Sequence, residues 1–387
     1  MGIVAGVPAE TYPGECRVAL VPAATTLLRK SSVEVLIQSG AGEFSGFPDA
    51  EYAAKGCRVA KSRQEVFEGA DIILQVRAPG ANPDLGRADL PFLRRGHVLI
   101  GFGEPLTSAH IAEDLARRGV TFFAVELMPR ITRAQSMDAL SSMATVAGYK
   151  AALIAANHLP RMFPMLMTAA GTIAPARVLV IGAGVAGLQA IATARRLGAV
   201  VCGYDIRPAA KEQVESLGAR FVVLDLESSD AEDKGGYAKA MGEEFYRRQR
   251  ELMAAVLAEN NVVITTAAVP GKKAPVLITR DMVRRMQPGS LIVDIAADRG
   301  GNCELTRPGE EVEEAGVRIL GPVNLPSTVP YHASQMYARN IAAFLGYMIR
   351  DGRLAIDPDD EIVRETMVTH AGAVVHPRVR ELLGVDV

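Results

Sequence analysis

Short apolar runs alternate with stretches of helical spacing along most of this 387-residue chain. In the first third, residues 3–5, 33–37, 71–76, 98–102 and 120–125 predict strands, and residues 110–118 predict a helix. Strands that alternate with helices build a mostly parallel sheet. Residues 128–150 break the alternation, and from about Asp138 the spacing predicts a long helix that leads into a second domain, with a cleft expected at the junction. There an apolar run at 178–181, a helical pattern at 186–196 and a second apolar run ending in Asp205 read as strand, turn, helix, strand. Strands follow at 220–223, 262–265, 291–295 and 317–320, with a helical stretch at 279–286. A last helix, 333–350, is expected to return to the first domain and make it discontinuous. The domains are therefore read as 1–139 with 328–387, and 140–327.

The turn after the 178–181 run carries Gly182, Gly184 and Gly187 on the G-x-G-x-x-G spacing. The first glycine permits a tight turn, the second lets a pyrophosphate approach the backbone, and the third lets helix and strand pack closely. An anion then sits on the helix N-terminus, beside Val185, where free amide hydrogens and the helix dipole favour it. Asp205 follows at the distance of an acid that binds a ribose 2′-hydroxyl, which favours NAD over NADP. Arg207 either contacts the adenosine or is solvated. A glycine-rich turn alone is weak evidence; the flanking strand, the helix and the distal acid make it strong. No such motif occurs in the first domain, which reads as a Rossmann half without the phosphate grip. The fold class is α/β, with two Rossmann-like parallel-sheet domains.

Composition narrows the function. Half the chain is hydrophobic with no tryptophan, as in α/β enzymes, and 42 basic against 44 acidic residues leave a net charge of −2. That balance offers no footprint for nucleic acid or an anionic membrane. Cys16, Cys57, Cys202 and Cys303 have no metal-ligand or redox spacing, and no secretory leader is read, so free thiols in a reducing cytoplasm are expected. The histidines likewise form no metal-ligand pattern, and no metal is expected. The most apolar stretch, 178–194, is too short and glycine-rich to span a membrane. Residues 225–246 are polar and charged, which reads either as a lid or as a solvated excursion.

Residues 128–142, MPRITRAQSMDALSS, place Arg130, Gln135, Asp138 and Ser141 near the domain junction. The last three are spaced by threes, so neighbouring pairs share a helix face and can converge on one amide group. The rival reading makes Asp138 the N-cap of the following helix and pairs Arg130 with a surface acid.

RITRAQSMDALSS, GAGVAG ending in YDIR, GGYAKAM, ITTAAVPGKKAPVLIT, GGNCELT and PSTVP together resemble the NAD(H)-binding alpha subunit of proton-translocating NAD(P) transhydrogenase, within the alanine dehydrogenase/transhydrogenase superfamily. The resemblance implies hydride transfer from NADH to NADP⁺ on a partner subunit, coupled through a membrane-spanning subunit to proton translocation. It also implies a homodimer, peripheral on the cytoplasmic face of the inner membrane. By matching position, it assigns Arg130, Gln135, Asp138 and Ser141 to the dihydronicotinamide and its ribose. Gly182, Gly184, Val185 and Gly187 fall to the pyrophosphate, and Asp205, Ile206 and Arg207 to the adenosine ribose. Gly236 and Tyr237 lie on a mobile loop that closes over the nucleotide, and Gln249 and Ala268 are looser contacts.

Two alternatives stand beside this reading. Alanine dehydrogenase shares the superfamily and an N-terminal arginine matched by Arg17. Arg77, however, stands where that enzyme's lysine belongs, residues 99–105 carry no histidine, and an arginine does not titrate near neutral pH. His97, at a strand entrance, reads as structural. The second alternative is a module that senses NAD(H) without turnover.

Overall fold

The computed structural model describes residues 2–224, 242–268 and 271–385. The chain divides into two compact units, 1–143 with 327–387, and 144–326. Each is built on a sheet whose parallel strands are apolar throughout, because both faces are covered.

In the second unit the strands Arg177–Ile181, Val262–Thr265 and Leu291–Asp294 run side by side and parallel. Their residues alternate between two cores: Val178, Val180, Val262, Ile264, Leu291 and Val293 face one, and Leu179, Ile181, Val263 and Ile292 the other. This period of two explains why an unbroken apolar run, not an alternating one, marks each strand in the sequence. The sheet order is Arg220–Phe221, Val200–Tyr204, Arg177–Ile181, Val262–Thr265, Leu291–Asp294, Val317–Leu320, with Glu311–Glu314 antiparallel at the edge. The chain thus starts in the middle of the sheet, builds one side, and crosses back to build the other. The switch point lies between Arg177–Ile181 and Val262–Thr265, where open α/β sheets bind ligands.

The first unit repeats this winding. From one edge its strands are Arg58–Ala60, Val33–Gln38, Ile3–Val7, Ile72–Arg77, Val98–Phe102 and Thr121–Ala124, extended by the antiparallel Met367–His370 and Ala373–Val374. The helix Pro330–Met348, opened by a proline, belongs to this unit, and the Tyr337 hydroxyl donates to Gln75 O at 2.7 Å.

Three expectations need correction. The helix Glu243–Ala258 includes residues 243–246, assigned above to the lid; the rest of that stretch up to 241 lies outside the described residues. The stretch 178–194 is a strand, a turn and a helix start. Among the described residues it is instead Ala139–His158 that is long and apolar enough to cross a membrane by length and composition, and its Ala151, Ala152 and Ala155 are wholly buried in the second unit's core. Finally, strand 220–223 shortens to Arg220–Phe221.

Candidate functional site

The strand Arg177–Ile181 ends at Gly182, whose φ of +97° strains any residue with a side chain. Its carbonyl accepts a hydrogen bond from Thr266 Oγ1 at 2.9 Å, immediately after the neighbouring strand Val262–Thr265. The turn is therefore fixed at the switch point. A Cβ on Gly187 would lie 1.8 Å from Gly182 O, so the helix Val185–Arg196 packs onto the turn only because that position lacks a side chain. Gly184 is different: it is exposed, has an ordinary φ of −78°, and a Cβ there would meet nothing within 4 Å. No side chain caps this helix and no acid stands in its first turn, while Arg195 and Arg196 complement the dipole at its other end. A bare backbone at the start of an uncapped helix is what a pyrophosphate needs. The residues present fit a dinucleotide.

Asp205 follows Val200–Tyr204 and reaches across to the turn, accepting from Ala183 N at 2.7 Å. Its other contacts are to Arg207: Oδ1 accepts from the backbone N and from Nε, both at 2.9 Å, and Oδ2 from Nη2 at 2.9 Å. Both oxygens are engaged, so a ribose hydroxyl bonds there by replacing or sharing one of these donors. Ile206 packs against the core beneath. Gln249, on Glu243–Ala258, is buried and donates through Nε2 to the Tyr204 hydroxyl at 2.8 Å, while its Oε1 has no partner. Burial pushes that phenol up to about 12. Ala268 is exposed two residues beyond Thr266, and Gly236 and Tyr237 lie outside the described residues.

In the first unit Arg130 and Gln135 are exposed, Gln135 on the tight turn Thr132–Met137. Asp138 directly precedes Ala139–His158 and caps it: Oδ1 accepts from Ser141 N at 2.8 Å and Oδ2 from Ser141 Oγ at 2.6 Å. The capping reading of Asp138 is therefore real, and it joins Asp138 and Ser141 into one polar group.

Sequence reasoning missed the residues that brace the phosphate turn from behind. Asn302 clasps the chain after Thr266, with Oδ1 accepting from Ala267 N at 3.0 Å and Nδ2 donating to Ala267 O and Pro275 O, each at 2.9 Å. Asp294, wholly buried at a strand end, holds Asn302 in turn by accepting from its N at 2.7 Å and from Cys303 N at 2.9 Å. A lone acid closing the apolar run 291–294 was the available signal.

At the matching switch point of the first unit, between Ile3–Val7 and Ile72–Arg77, sits a polar cluster and no glycine turn. Arg17 forks onto Glu15, with Nε to Oε1 at 2.7 Å and Nη2 to Oε2 at 2.6 Å. Arg77 donates to the same Oε2 at 3.0 Å and lies 4.1 Å from the Tyr12 ring centroid. Burial alone would raise the Glu15 carboxyl, but the two guanidiniums hold it at about 2. Both arginines are thus committed to an internal carboxylate. His97 is buried, accepts from Arg94 N at 3.3 Å, and is pushed down to about 4 by burial and then by Arg94. All four cysteines are free, and no metal-ligand group occurs among the described residues.

Comparison with known proteins agrees with this arrangement. The model of "Alanine dehydrogenase/PNT, N-terminal domain" matches residues 6–147 and that of "Alanine dehydrogenase/PNT, C-terminal domain" matches residues 151–377. The chain is 46% identical over 374 residues to a chain of NAD(P) transhydrogenase subunit alpha from Rhodospirillum rubrum, covering 96% of this chain and 97% of that one. Alanine dehydrogenase of Mycobacterium tuberculosis is 32% identical, over 98% of this chain and 96% of its own. The crystal structure of transhydrogenase from Sinorhizobium meliloti superposes with a TM-score of 0.84 at 44% identity, covering 96% of this chain and all of the other. An uncapped glycine turn at the switch point, arginines locked on an internal carboxylate and end-to-end similarity lead to one assignment: the chain belongs to the alanine dehydrogenase/PNT family, among its NAD(P) transhydrogenase alpha subunits.

Proposed function

We propose that this chain is the NAD(H)-binding component of a proton-translocating NAD(P) transhydrogenase. The observation that carries the reading is the bare helix start at Gly184, braced by Gly182, Gly187 and Thr266, in a chain similar along its length to transhydrogenase alpha subunits. Bound NADH supplies a hydride for NADP⁺ held by a partner subunit. Direct transfer between two nicotinamides needs no general acid or base and no metal, so the chain's task is to bind and orient.

In this reading Gly182, Gly184, Val185 and Gly187 hold the pyrophosphate, while Asp205 to Arg207 hold the adenosine ribose. Arg130, Gln135, Asp138 and Ser141 orient the ring and its ribose. Asp138 does so through a carboxylate already fixed by Ser141. Gln249 acts through Tyr204, next to Asp205, and Ala268 through its exposed backbone. Gly236 and Tyr237 belong to the closing loop. A homodimer is supported by the hairpin Leu166–Thr168 and Gly171–Ile173, since a lone hairpin is marginal in water and this one exposes Met165, Met167 and Ile173, with Met167 82% exposed. The chain then works at the cytoplasmic face of the inner membrane through its NADP-binding and membrane-spanning partners.

Mixing the protein with NADH and a purified NADP⁺-loaded partner subunit tests the proposal. NADPH should form at enzymatic turnover, and NAD⁺ with alanine should give none above about 1 s⁻¹. Alanine oxidation without transhydrogenation would assign the chain to the dehydrogenase branch. NADH binding with neither activity would leave a sensing module.

A further inference from the structure

The turn Thr132–Met137 is held from outside its own sequence. Ala134 and Met137 are buried, which leaves Gln135 and Ser136 facing outward. Asn340, on Pro330–Met348, is 6% exposed, and its Nδ2 donates to Ser136 O at 2.8 Å. A carbonyl only accepts, so the amide must present its nitrogen there. Asn340 Oδ1 is then left buried with no partner. Two turns along the same helix, the Tyr347 hydroxyl receives Arg133 Nη1 at 3.0 Å and donates to Asp360 Oδ2 at 2.6 Å. Asp360 is itself pinned, since its Oδ1 accepts from Ile362 N at 2.9 Å and Val363 N at 3.3 Å to cap Glu361–Thr366. The turn is therefore gripped on either side of Gln135, at Arg133 and at Ser136.

A buried, unpaired acceptor is destabilising, and an apolar side chain of similar size at 340 would avoid it. What Asn340 supplies is a fixed place for the Ser136 carbonyl. We infer that Asn340 is a positioning residue for hydride transfer, latching the turn Thr132–Met137, with Arg133, Tyr347 and Asp360, so that Gln135 and Asp138 meet the nicotinamide in one geometry. The inference rests on the assignment of those two residues to the ring. Displacement of a positioning group by about 1 Å can cost ~10²-fold in rate, so loosening one of two anchors is expected to cost about 10-fold.

The test compares Asn340→Leu, Tyr347→Phe and Gln135→Asn in the full chain with its NADP⁺-loaded partner. Urea denaturation, NADH affinity and single-turnover transfer are measured for each. Asn340→Leu should unfold at or above the unmutated midpoint, bind NADH within about 2-fold and transfer about 10-fold more slowly. Tyr347→Phe keeps the Asn340 anchor and removes only the hydroxyl, so it reads the latch even where Asn340→Leu does not fold; its transfer should slow several-fold with affinity unchanged. Slow transfer in Gln135→Asn with unmutated rates in the other two would overturn the latch and keep the ring assignment. Unmutated rates in all three would overturn the ring assignment itself. A rate loss that merely follows lost affinity or lost stability would make Asn340 and Tyr347 structural only, which also overturns the inference.

Discussion

Alanine at Gly184 and alanine at Gly187 separate the two jobs of the glycine turn. At Gly187 the new Cβ would lie 1.8 Å from Gly182 O and 3.2 Å from Thr266 Oγ1, while real Cβ contacts do not fall below 3.0 Å. Helix and turn must part by about 1 Å, an overpacking that costs ~1–3 kcal/mol and moves the helix start off its place. At Gly184 the backbone is ordinary and the methyl meets nothing, so folding loses only the difference between glycine and alanine as an N-cap, about 0.5–1 kcal/mol. The same methyl occupies the approach to the amides. Losing one charge-assisted hydrogen bond to a phosphate costs ~1.5–3 kcal/mol, or about 10- to 100-fold in affinity. Urea denaturation and NADH titration of both variants give four numbers. Gly184→Ala should be nearly as stable as the unmutated chain and bind NADH at least ~10-fold more weakly; Gly187→Ala should lose both. A Gly184→Ala variant that binds NADH at the unmutated affinity would refute the placement of the pyrophosphate.

Further outcomes are expected. Asp205→Asn keeps an acceptor for Ala183 N but loses the charge that repels a 2′-phosphate, so NADH should weaken and the preference over NADPH should narrow by ~10-fold, read by titration with both nucleotides. Glu126 is raised to about 7 by burial and then by Glu104; its Oε1 accepts from Gly103 N at 2.8 Å and its Oε2 has no partner. A carboxyl whose pKa is higher folded than unfolded keeps its proton in the folded state, so its contribution is complete below about 4.5 and is lost as pH rises to about 7. Glu126→Gln keeps the acceptor and cannot ionise, so its stability relative to the unmutated chain should improve by about 1.4 kcal/mol per pH unit across that window, on the order of 3 kcal/mol in all, then level off. A flat difference between pH 5 and 8 in urea denaturation would show that Glu126 does not hold its proton.

The parts of this molecule that sequence disclosed are those governed by short-range periodicity. The strands at 178–181, 262–265 and 291–294 were visible because burial on both faces forces unbroken apolar runs. The glycine turn was visible because each glycine answers a steric demand a few residues away. What stayed hidden depends on distant partners or on polar composition. The strand Glu311–Glu314 is acidic and lies at a sheet edge, and nothing in EVEE resembles a buried run. The exposed hairpin Leu166–Ile173 has no buried face to set its pattern. Glu243–Ala258 opens with charges that read as a loop, although Met253, Ala254 and Leu257 bury its far half. In the candidate site, Arg207 neutralising Asp205 was within reach of two residues' spacing, but Asn340 meets Ser136 from 204 residues away, and no local pattern encodes that contact.

The central claim is direct hydride transfer, and isotope transfer tests it most directly. With NADH deuterated at the transferring position of C4 and the NADP⁺-loaded partner subunit in ordinary water, the account predicts NADPH that carries the deuterium, formed in a single turnover without exchange. NADPH formed with solvent hydrogen, or no NADPH from protein that binds NADH normally and a partner that binds NADP⁺ normally, would contradict it.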